Sequence, residues 1–162
     1  MDLDALNKLK IKLEAPQNIV IVPHRNPDGD AMGSSLGMFW FLKSMGLDSQ
    51  VILPNEIPDF LKWMPGVENT LNFEKQNNQS VKALDEASLI FLLDFNAFHR
   101  VGDVMGEKLG SLSADFVMID HHQEPDDIAE FMYSDTSICA TCEMIFHFIK
   151  KQTALGNIQG IL

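Results

Sequence analysis

The chain alternates short, continuously apolar runs with segments of helical periodicity. Leucines spaced three or four residues apart open the chain and predict a first helix, which Pro16 would end: Leu3, Leu6, Leu9 and Leu13. Four apolar runs are too short for helices and are typical of strands covered on both faces: 19–22, 51–53, 89–93 and 116–119. Helices are predicted between these runs, at 33–45, 81–86 and 104–109.

The remaining segments complete the predicted order of elements. Gly46 is expected to end the second helix, whose aromatic residues, including Trp40, are predicted to be core. Residues 54–78 predict irregular structure with a helical turn near 60–64, and residues 131–133 predict an edge strand. A last helix, capped by Thr136 or Ser137, would place its apolar residues on one face: Ile138, Cys142, Ile145, Phe146 and Ile149.

Strands that alternate with helices predict an α/β fold, a mostly parallel β-sheet flanked by helices on both faces. Acidic and imidazole side chains follow three of the predicted strands. In chain order they are His24, Asp28 and Asp30, then Asp94, then Asp120, His121 and His122. Because the carboxyl ends of parallel strands meet at one edge of a sheet, we expect these groups to converge there.

Crowded carboxylates repel each other unless a cation lies between them, and a mixed set of Asp and His suits a borderline divalent ion such as Mn²⁺. Seven such groups exceed what one ion uses, so two ions are predicted, as in phosphoryl transfer. Asp28 and Asp30 would face the same way in an extended loop and serve one ion each. The two arginines, Arg25 and Arg100, follow two of these strand ends, and Arg suits bidentate phosphate contact.

The composition and net charge of the chain limit the kinds of ligand that the protein is expected to bind. The chain has 162 residues, of which 46% are hydrophobic, so one domain with a real core is expected. A net charge of −11 argues against binding a long duplex nucleic acid, but it allows a short phosphorylated ligand held by metals. The sequence contains neither an apolar run of membrane-spanning length nor a signal-peptide pattern, and its two cysteines are too few for a disulfide scaffold. A cytoplasmic protein without a membrane partner is predicted.

Three motifs resemble those of the DHH phosphoesterases. The segment His24-Arg25-Asn26-Pro27-Asp28-Gly29-Asp30-Ala31-Met32-Gly33-Ser34 is similar to the first motif of that family. Asp94, after Ile90-Phe91-Leu92-Leu93, matches the second, and Asp120-His121-His122 is the motif that names the family. Thr141-Cys142-Glu143 resembles the branch of oligoribonuclease/pAp-phosphatase (nanoRNase) proteins. The resemblance extends over essentially the whole chain.

The resemblance implies a site with two Mn²⁺ ions that activate a water for attack on phosphorus. It implies that His24 and Asp28 hold one ion, that Asp30 and His121 hold the other, and that Asp94 bridges both. Mg²⁺ and Co²⁺ also accept Asp and His ligands, so the metal stays open.

The resemblance also implies the roles of the neighbouring residues. Asp120 would orient a histidine, and His122 would contact the substrate phosphate, for which Arg25 and Arg100 are further candidates. Catalysis would then depend on four residues: Asp94, Asp120, His121 and His122.

One departure from the family pattern concerns the end of the chain. Family members carry a further metal-binding aspartate in an Asp-Thr-Gly segment after the Asp-His-His motif, and then a smaller substrate-binding domain. The sequence stops at Leu162, about where that segment would begin. Residues 1–162 are therefore interpreted as a DHH catalytic domain truncated before the last metal-binding motif, without the C-terminal DHHA1-type domain. A face normally covered by that domain would favour a homodimer.

These features lead to a main hypothesis and two alternatives. The main hypothesis is hydrolysis of phosphoester bonds in short oligonucleotides or 3′-phosphoadenosine 5′-phosphate. One alternative is a pyrophosphatase, exopolyphosphatase or cyclic-dinucleotide phosphodiesterase, over which the Thr141 segment favours the oligoribonuclease branch. The other is a non-catalytic metal-binding fragment, against which the three intact motifs argue.

Overall fold

The computed structural model describes residues 3–15 and 17–154. Pro16, the side chain of Leu3 and the chain end at Leu162 lie outside the described residues. The strands are β1 (Ile19–Pro23), β2 (Ser49–Leu53), β3 (Leu71–Asn72), β4 (Leu89–Leu93), β5 (Asp115–Asp120) and β6 (Phe131–Ser134). The helices are α1 (Leu3–Glu14), α2 (Gly29–Ser44), α3 (Asn77–Glu86), α4 (Asp103–Gly110) and α5 (Thr141–Ala154).

The strands form one six-stranded sheet in the order β3-β2-β1-β4-β5-β6, and each neighbouring pair is parallel. Side chains of β4 show why its apolar run is continuous. Leu89, Phe91 and Leu93 pack in a cluster with α1, α2 and α5, whereas Ile90 and Leu92 pack in a second cluster with α3 and α4. Both faces of the strand are therefore buried. The predicted α/β fold, with helices on both faces of a parallel sheet, is confirmed.

The strand order reverses between β1 and β4. From β1 the chain proceeds outward to β2 and β3, and from β4 it proceeds in the other direction to β5 and β6. The loops after β1 and β4 thus leave the sheet toward opposite faces, which opens a crevice at the carboxyl ends of these two strands. His24 and Asp94 directly follow the two strands at this crevice.

Helix α2 begins four residues earlier than predicted. Asp28 is its N-cap residue, and Asp28 Oδ1 accepts hydrogen bonds from the backbone N–H groups of Asp30 and Ala31 at 2.9 and 3.0 Å. The prediction of an extended loop that turns Asp28 and Asp30 the same way is therefore wrong. At the other end, α2 stops at Ser44 and Gly46 has a φ of +76°, as expected for the glycine that ends a helix.

Helix α5 begins later than predicted. Ser137 does not cap it, because its N–H and hydroxyl groups both donate to Asp135 Oδ1 in the preceding turn. Phe146 is 62% exposed, so it does not share the buried face that contains Ile145 and Phe148. The predicted apolar face of this helix is thus correct only in part.

Two further expectations differ from the structure. Trp40 is 42% exposed rather than core, because its indole N–H donates to the carbonyl of Pro65 at the surface. The segment predicted to be irregular contains the short strand β3 and two 3₁₀ turns, Asp59–Leu61 and Val67–Asn69. None of the helices in the described part of the chain is long and apolar enough to cross a membrane.

Gly106 of α4 packs closely against the turn that follows β4. A Cβ atom at this position would lie 2.7 Å from the carbonyl oxygen of Phe98, a backbone atom that cannot rotate away. We expect Gly106→Ala to lower the free energy of unfolding by ~1–3 kcal/mol. This expected loss is the net value, after the gain of ~1 kcal/mol that alanine has over glycine in a helix.

Gly37→Ala in α2 is the matched control, because the nearest atom to its new Cβ would be Ile145 Cγ2 at 3.7 Å, an ordinary contact. We expect this variant to be at least as stable as the parent. Urea denaturation of the two variants measures the difference, and a Gly106→Ala protein as stable as Gly37→Ala would contradict the prediction.

Candidate metal centre

Asp94 lies at the centre of a group of carboxylates and imidazoles at the carboxyl edge of the sheet. It follows β4, has a φ of +65° and is 2% exposed. Its Oδ2 lies 3.5 Å from Nε2 of His24, which follows β1. Its Oδ1 lies 3.6 Å from Nε2 of His121, which follows β5. One carboxylate therefore faces two imidazoles, each through a different oxygen.

A second carboxylate accompanies each imidazole. Asp28 Oδ1 lies 4.0 Å from His24 Nε2, and Asp30 Oδ2 lies 3.8 Å from His121 Nε2. His24, Asp28 and Asp94 each offer a ligand atom within 4.8 Å of the others. The parallel sheet thus brings the three strand ends together, as the sequence predicted.

The Nδ1 atoms of His24 and His121 point away from the shared carboxylate, toward backbone carbonyls. His24 Nδ1 lies 2.8 Å from the carbonyl oxygen of Arg25, and His121 Nδ1 lies 3.2 Å from that of Ile138. Since a carbonyl oxygen can only accept, Nδ1 carries the hydrogen in both rings. Nε2 of a neutral ring then presents its lone pair to the carboxylates, the orientation of a metal-binding imidazole.

His122 is held by a carboxylate instead of a carbonyl. Asp120, which is fully buried, lies 2.7 Å from His122 Nδ1 through Oδ1 and accepts the backbone N–H of His122 at 3.0 Å through Oδ2. Ligand atoms of Asp94, His121 and His122 also lie within 4.8 Å of one another. The Asp120 carboxylate therefore fixes the ring of His122 beside the shared carboxylate.

Electrostatics favour positive charge among these groups. The hydrogen bond with Asp94 raises the pKa of His24 above its ordinary value, against the opposing effect of burial. A proton can supply that charge, and so can a divalent cation. The donor set of carboxylate oxygens and imidazole nitrogens suits a divalent transition metal such as Mn²⁺, so the residues present fit such an ion.

Asp30 also binds the beginning of helix α5. Its carboxylate accepts the backbone N–H of Thr141 at 2.8 Å and that of Cys142 at 2.7 Å. Burial alone would raise the pKa of Asp30, but hydrogen bonds from Cys142 and Thr141 hold it below its ordinary value. These N–H groups lie in the first turn of α5, where intrahelical acceptors are missing. Asp30 thus performs the capping role that was predicted for Thr136 or Ser137.

Thr141 is a site residue that the motif analysis did not single out. It is fully buried, and its Oγ1 donates a hydrogen bond of 2.8 Å to Asp94 Oδ1. The only signal in the sequence was its place in the segment that resembles the oligoribonuclease branch. Thr141 and Asp30 together attach α5 to the group of carboxylates.

The two arginines follow strands that end at the same edge of the sheet, and Arg25 pairs with a carboxylate outside the metal centre. The guanidinium of Arg25 pairs with Glu74 at 2.7 Å and lies beside Gly102, on the face covered by α3 and α4. Arg100 is exposed, and its carbonyl accepts the backbone N–H of Arg25 at 2.8 Å. The phosphate contacts predicted for Arg25 and Arg100 stay a prediction.

The two cysteines differ in accessibility. Cys139 is exposed, whereas Cys142 is half-buried, with Sγ 3.4 Å from the carbonyl oxygen of Asp30. Burial, together with the neighbouring Asp30, raises the pKa of the Cys142 thiol to about 12. In chelator at pH 8 we therefore expect iodoacetamide to alkylate Cys139 more than ~10-fold faster than Cys142, because the thiolate is the reactive form.

Peptide mass spectrometry over a time course measures both rates. Cys139→Ser is the control, since the remaining slow reaction must then map to Cys142. Equal alkylation rates at the two positions would show that the first turn of α5 is not packed against Asp30 as described.

The chain is similar to a known family and to several known proteins. The model of the DHH family, N-terminal domain, matches residues 18–161. The bifunctional oligoribonuclease and PAP phosphatase NrnA of Thermus thermophilus is 30% identical over 127 residues, which is 78% of this chain and 35% of that protein. The cyclic-di-AMP phosphodiesterase PdeA of Listeria monocytogenes is 25% identical over 151 residues, 88% of this chain and 22% of that protein.

A solved structure is also similar. The crystal structure of an exopolyphosphatase-related protein from Bacteroides fragilis superposes with a TM-score of 0.91 and 37% sequence identity, over 98% of this chain and 46% of that chain. The chain belongs to the DHH family of phosphoesterases, through its N-terminal domain. It spans less than half the length of each of these three relatives.

Proposed function

We propose that the protein is a phosphoesterase that uses two divalent cations to hydrolyse short oligonucleotides or 3′-phosphoadenosine 5′-phosphate. Mn²⁺ is the first candidate for these cations. The observation that carries the proposal is the position of Asp94, whose two carboxylate oxygens face His24 and His121 separately. A carboxylate so placed can bind one cation through each oxygen. The name of the Thermus relative, a bifunctional oligoribonuclease and PAP phosphatase, supports this choice of substrate.

The proposed metal ligands lie in two groups on either side of Asp94. His24 and Asp28 would hold one cation, Asp30 and His121 would hold the other, and Asp94 would bind both. When bound, the cations supply positive charge that stabilises the attacking and leaving oxygens of a phosphoester in the transition state. Mg²⁺ and Co²⁺ are further candidates, because they accept the same donors.

The protein's own groups then orient the reaction. Asp120 holds Nδ1 of His122, so the Nε2 side of that ring is free to contact a substrate phosphate beside Asp94. Thr141 fixes the orientation of the Asp94 carboxylate, and the first turn of α5 fixes that of Asp30. A net charge of −11 agrees with a small phosphorylated substrate rather than a long duplex. The cytoplasmic location and the homodimer stay predictions.

Two other classes of substrate are alternatives, a cyclic dinucleotide with phosphodiester bonds and a polyphosphate with phosphoanhydride bonds. The Listeria relative is named a cyclic-di-AMP phosphodiesterase, and the Bacteroides protein is described as exopolyphosphatase-related. Both kinds of substrate carry phosphate bridges that a two-cation site can bind. A panel of substrates therefore has to accompany the first activity test.

The experiment uses metal-depleted protein with and without added Mn²⁺. The substrates are di- to pentaribonucleotides, 3′-phosphoadenosine 5′-phosphate, cyclic di-AMP and pyrophosphate, and product formation is followed by anion-exchange chromatography. We expect hydrolysis of the short RNAs or of 3′-phosphoadenosine 5′-phosphate with Mn²⁺, and none with EDTA. If cyclic di-AMP or pyrophosphate is hydrolysed faster than the RNAs and 3′-phosphoadenosine 5′-phosphate, the proposed substrate is wrong. Mn²⁺ binding without any turnover would favour the non-catalytic alternative.

A further inference from the structure

A cavity of about 470 Å³ opens beside the candidate metal centre, on the face of the sheet covered by α3 and α4. Its walls come from the loop after β1, the end of β2, the segment that leads into α3, and the beginning of α4. Cavities of roughly 300–1,000 Å³ are typical of small-molecule sites. None of the groups assigned to the cations in the proposed function lines this one.

The cavity and the metal centre share one loop. His24 turns its imidazole to Asp94, and the next residue, Arg25, turns its guanidinium to Glu74 in the wall of the cavity. Consecutive Cα atoms are about 3.8 Å apart, so the two sites lie on either side of a single backbone segment. That segment is held by the hydrogen bond from Arg25 N–H to the Arg100 carbonyl at 2.8 Å.

A second contact fixes the same loop to the end of β2. Asn26 N–H donates to Asn55 Oδ1 at 2.7 Å, and Asn55 Nδ2 donates to Asn26 Oδ1 at 2.8 Å. The wall between the cavity and the metal centre is therefore tied to its neighbours on both sides. A ligand that spans this wall would meet two preformed sites at a fixed spacing.

The walls of the cavity are not built for phosphate. Phe73, Val101 and Met105 are buried apolar residues that line its interior. Its charged groups are Arg25, Glu74 and Asp103, and since Arg25 is already paired with Glu74, the uncompensated charge is negative. A phosphate would be repelled, whereas an uncharged planar ring with amino donors would find both apolar contact and acceptors.

Asn77 adds an amide to this lining. Its Nδ2 lies 3.4 Å from the Phe73 carbonyl. An Asn side chain pairs with the amino group and ring nitrogen of adenine, and a carboxylate accepts from an exocyclic amine. The combination of apolar interior, amide and carboxylate thus matches an amino-bearing nucleobase.

We infer that this cavity binds a nucleobase of the substrate while the phosphoester lies at the metal centre, on the other side of the shared loop. Adenine is the first candidate for this nucleobase. The inference rests on the proposed function and deepens it, because it selects nucleotides over pyrophosphate and polyphosphate. It assigns Asn77 and Asp103 to base recognition and the surface around Val104 to the mouth of the site.

Binding without catalysis is the first test. Adenosine is titrated into metal-free protein labelled at Val, Met and Ile methyl groups, and methyl chemical shifts are measured by NMR. We expect the largest shifts at Val101, Val104 and Met105, and none at Ile11, which is 67% exposed on α1. Absence of shifts at the three cavity residues would overturn the inference, and pyrophosphate should leave them unchanged.

Two pairs of variants test the cavity in the active protein. Val104→Trp places a large ring at the mouth of the cavity, and Ile11→Trp makes the same change at an equally exposed site elsewhere. Asn77→Ala removes the amide, and Asn78→Ala is the neighbouring exposed control in α3. We expect Val104→Trp and Asn77→Ala to raise KM for 3′-phosphoadenosine 5′-phosphate about tenfold. The controls should not change it.

Bis(4-nitrophenyl) phosphate, which has no nucleobase, separates this inference from the proposed function. Its hydrolysis should be the same in all four variants as in the parent. An equal loss for both substrates would show that the cavity variants act through the metal centre, and would overturn the inference. If the parent hydrolyses neither substrate, the proposed function fails, and the adenosine titration still decides whether the cavity binds a base.

Discussion

Asp94→Asn is expected to lower metal-dependent hydrolysis by at least ~1,000-fold, which corresponds to about 4 kcal/mol of transition-state stabilisation. The variant keeps the shape of the side chain but removes the charge that faces both His24 and His121. Asparagine also tolerates the left-handed backbone conformation of this position, where φ is +65°. The fold should therefore persist, and the loss should be chemical rather than structural.

Asp115→Asn is the control for this experiment. Asp115 opens β5 at the amino edge of the sheet, where its carboxylate pairs with Lys12, far from the strand ends that carry the site. Steady-state kinetics give kcat/KM, and calorimetric titration with Mn²⁺ gives the number of bound ions. We expect Asp94→Asn to lose tight binding of at least one ion. Activity within tenfold of the parent would contradict the role of Asp94 as the shared ligand.

The strands could be predicted because burial on both faces leaves a simple pattern. The run Leu89–Leu93 is apolar at every position because alternate residues pack into the clusters on opposite faces of the sheet. A continuous apolar run of only five residues is typical of such a buried strand and is too short for a helix. The convergence of His24, Asp94 and His121 then follows from parallel topology alone, since the residues after such strands share one edge. The sequence was thus sufficient to predict that these three side chains lie close together.

The connections between the parts of the site could not be predicted in the same way. Asp30 caps α5 although it lies 111 residues before Thr141 in the chain. The pattern of neighbouring residues cannot predict a hydrogen bond between such distant positions. The polar residues nearest to that helix, Thr136 and Ser137, were therefore predicted as its caps, although Ser137 bonds to Asp135 instead. Strand β3 has only two residues, too few for any periodicity to develop.

Thr141→Val is the second variant with a large expected effect. In the described part of the chain, Thr141 is the only residue of α5 whose side chain donates a hydrogen bond to Asp94. Valine has nearly the same shape as threonine but cannot donate. Groups that orient metal ligands typically contribute 10–100-fold to metal affinity or activity, so we expect kcat/KM to fall by ~10–100-fold. The lost hydrogen bond to a buried carboxylate should also lower the free energy of unfolding by ~1–3 kcal/mol.

Thr141→Ser separates orientation from packing. Serine retains the hydroxyl that donates to Asp94 at 2.8 Å but loses the methyl group. If orientation of the carboxylate is what matters, Thr141→Ser keeps most of the activity and of the Mn²⁺ affinity, whereas Thr141→Val loses both. If the two variants lose activity equally, Thr141 acts through the packing of α5 on the sheet, and Asp94 does not depend on its hydroxyl for orientation.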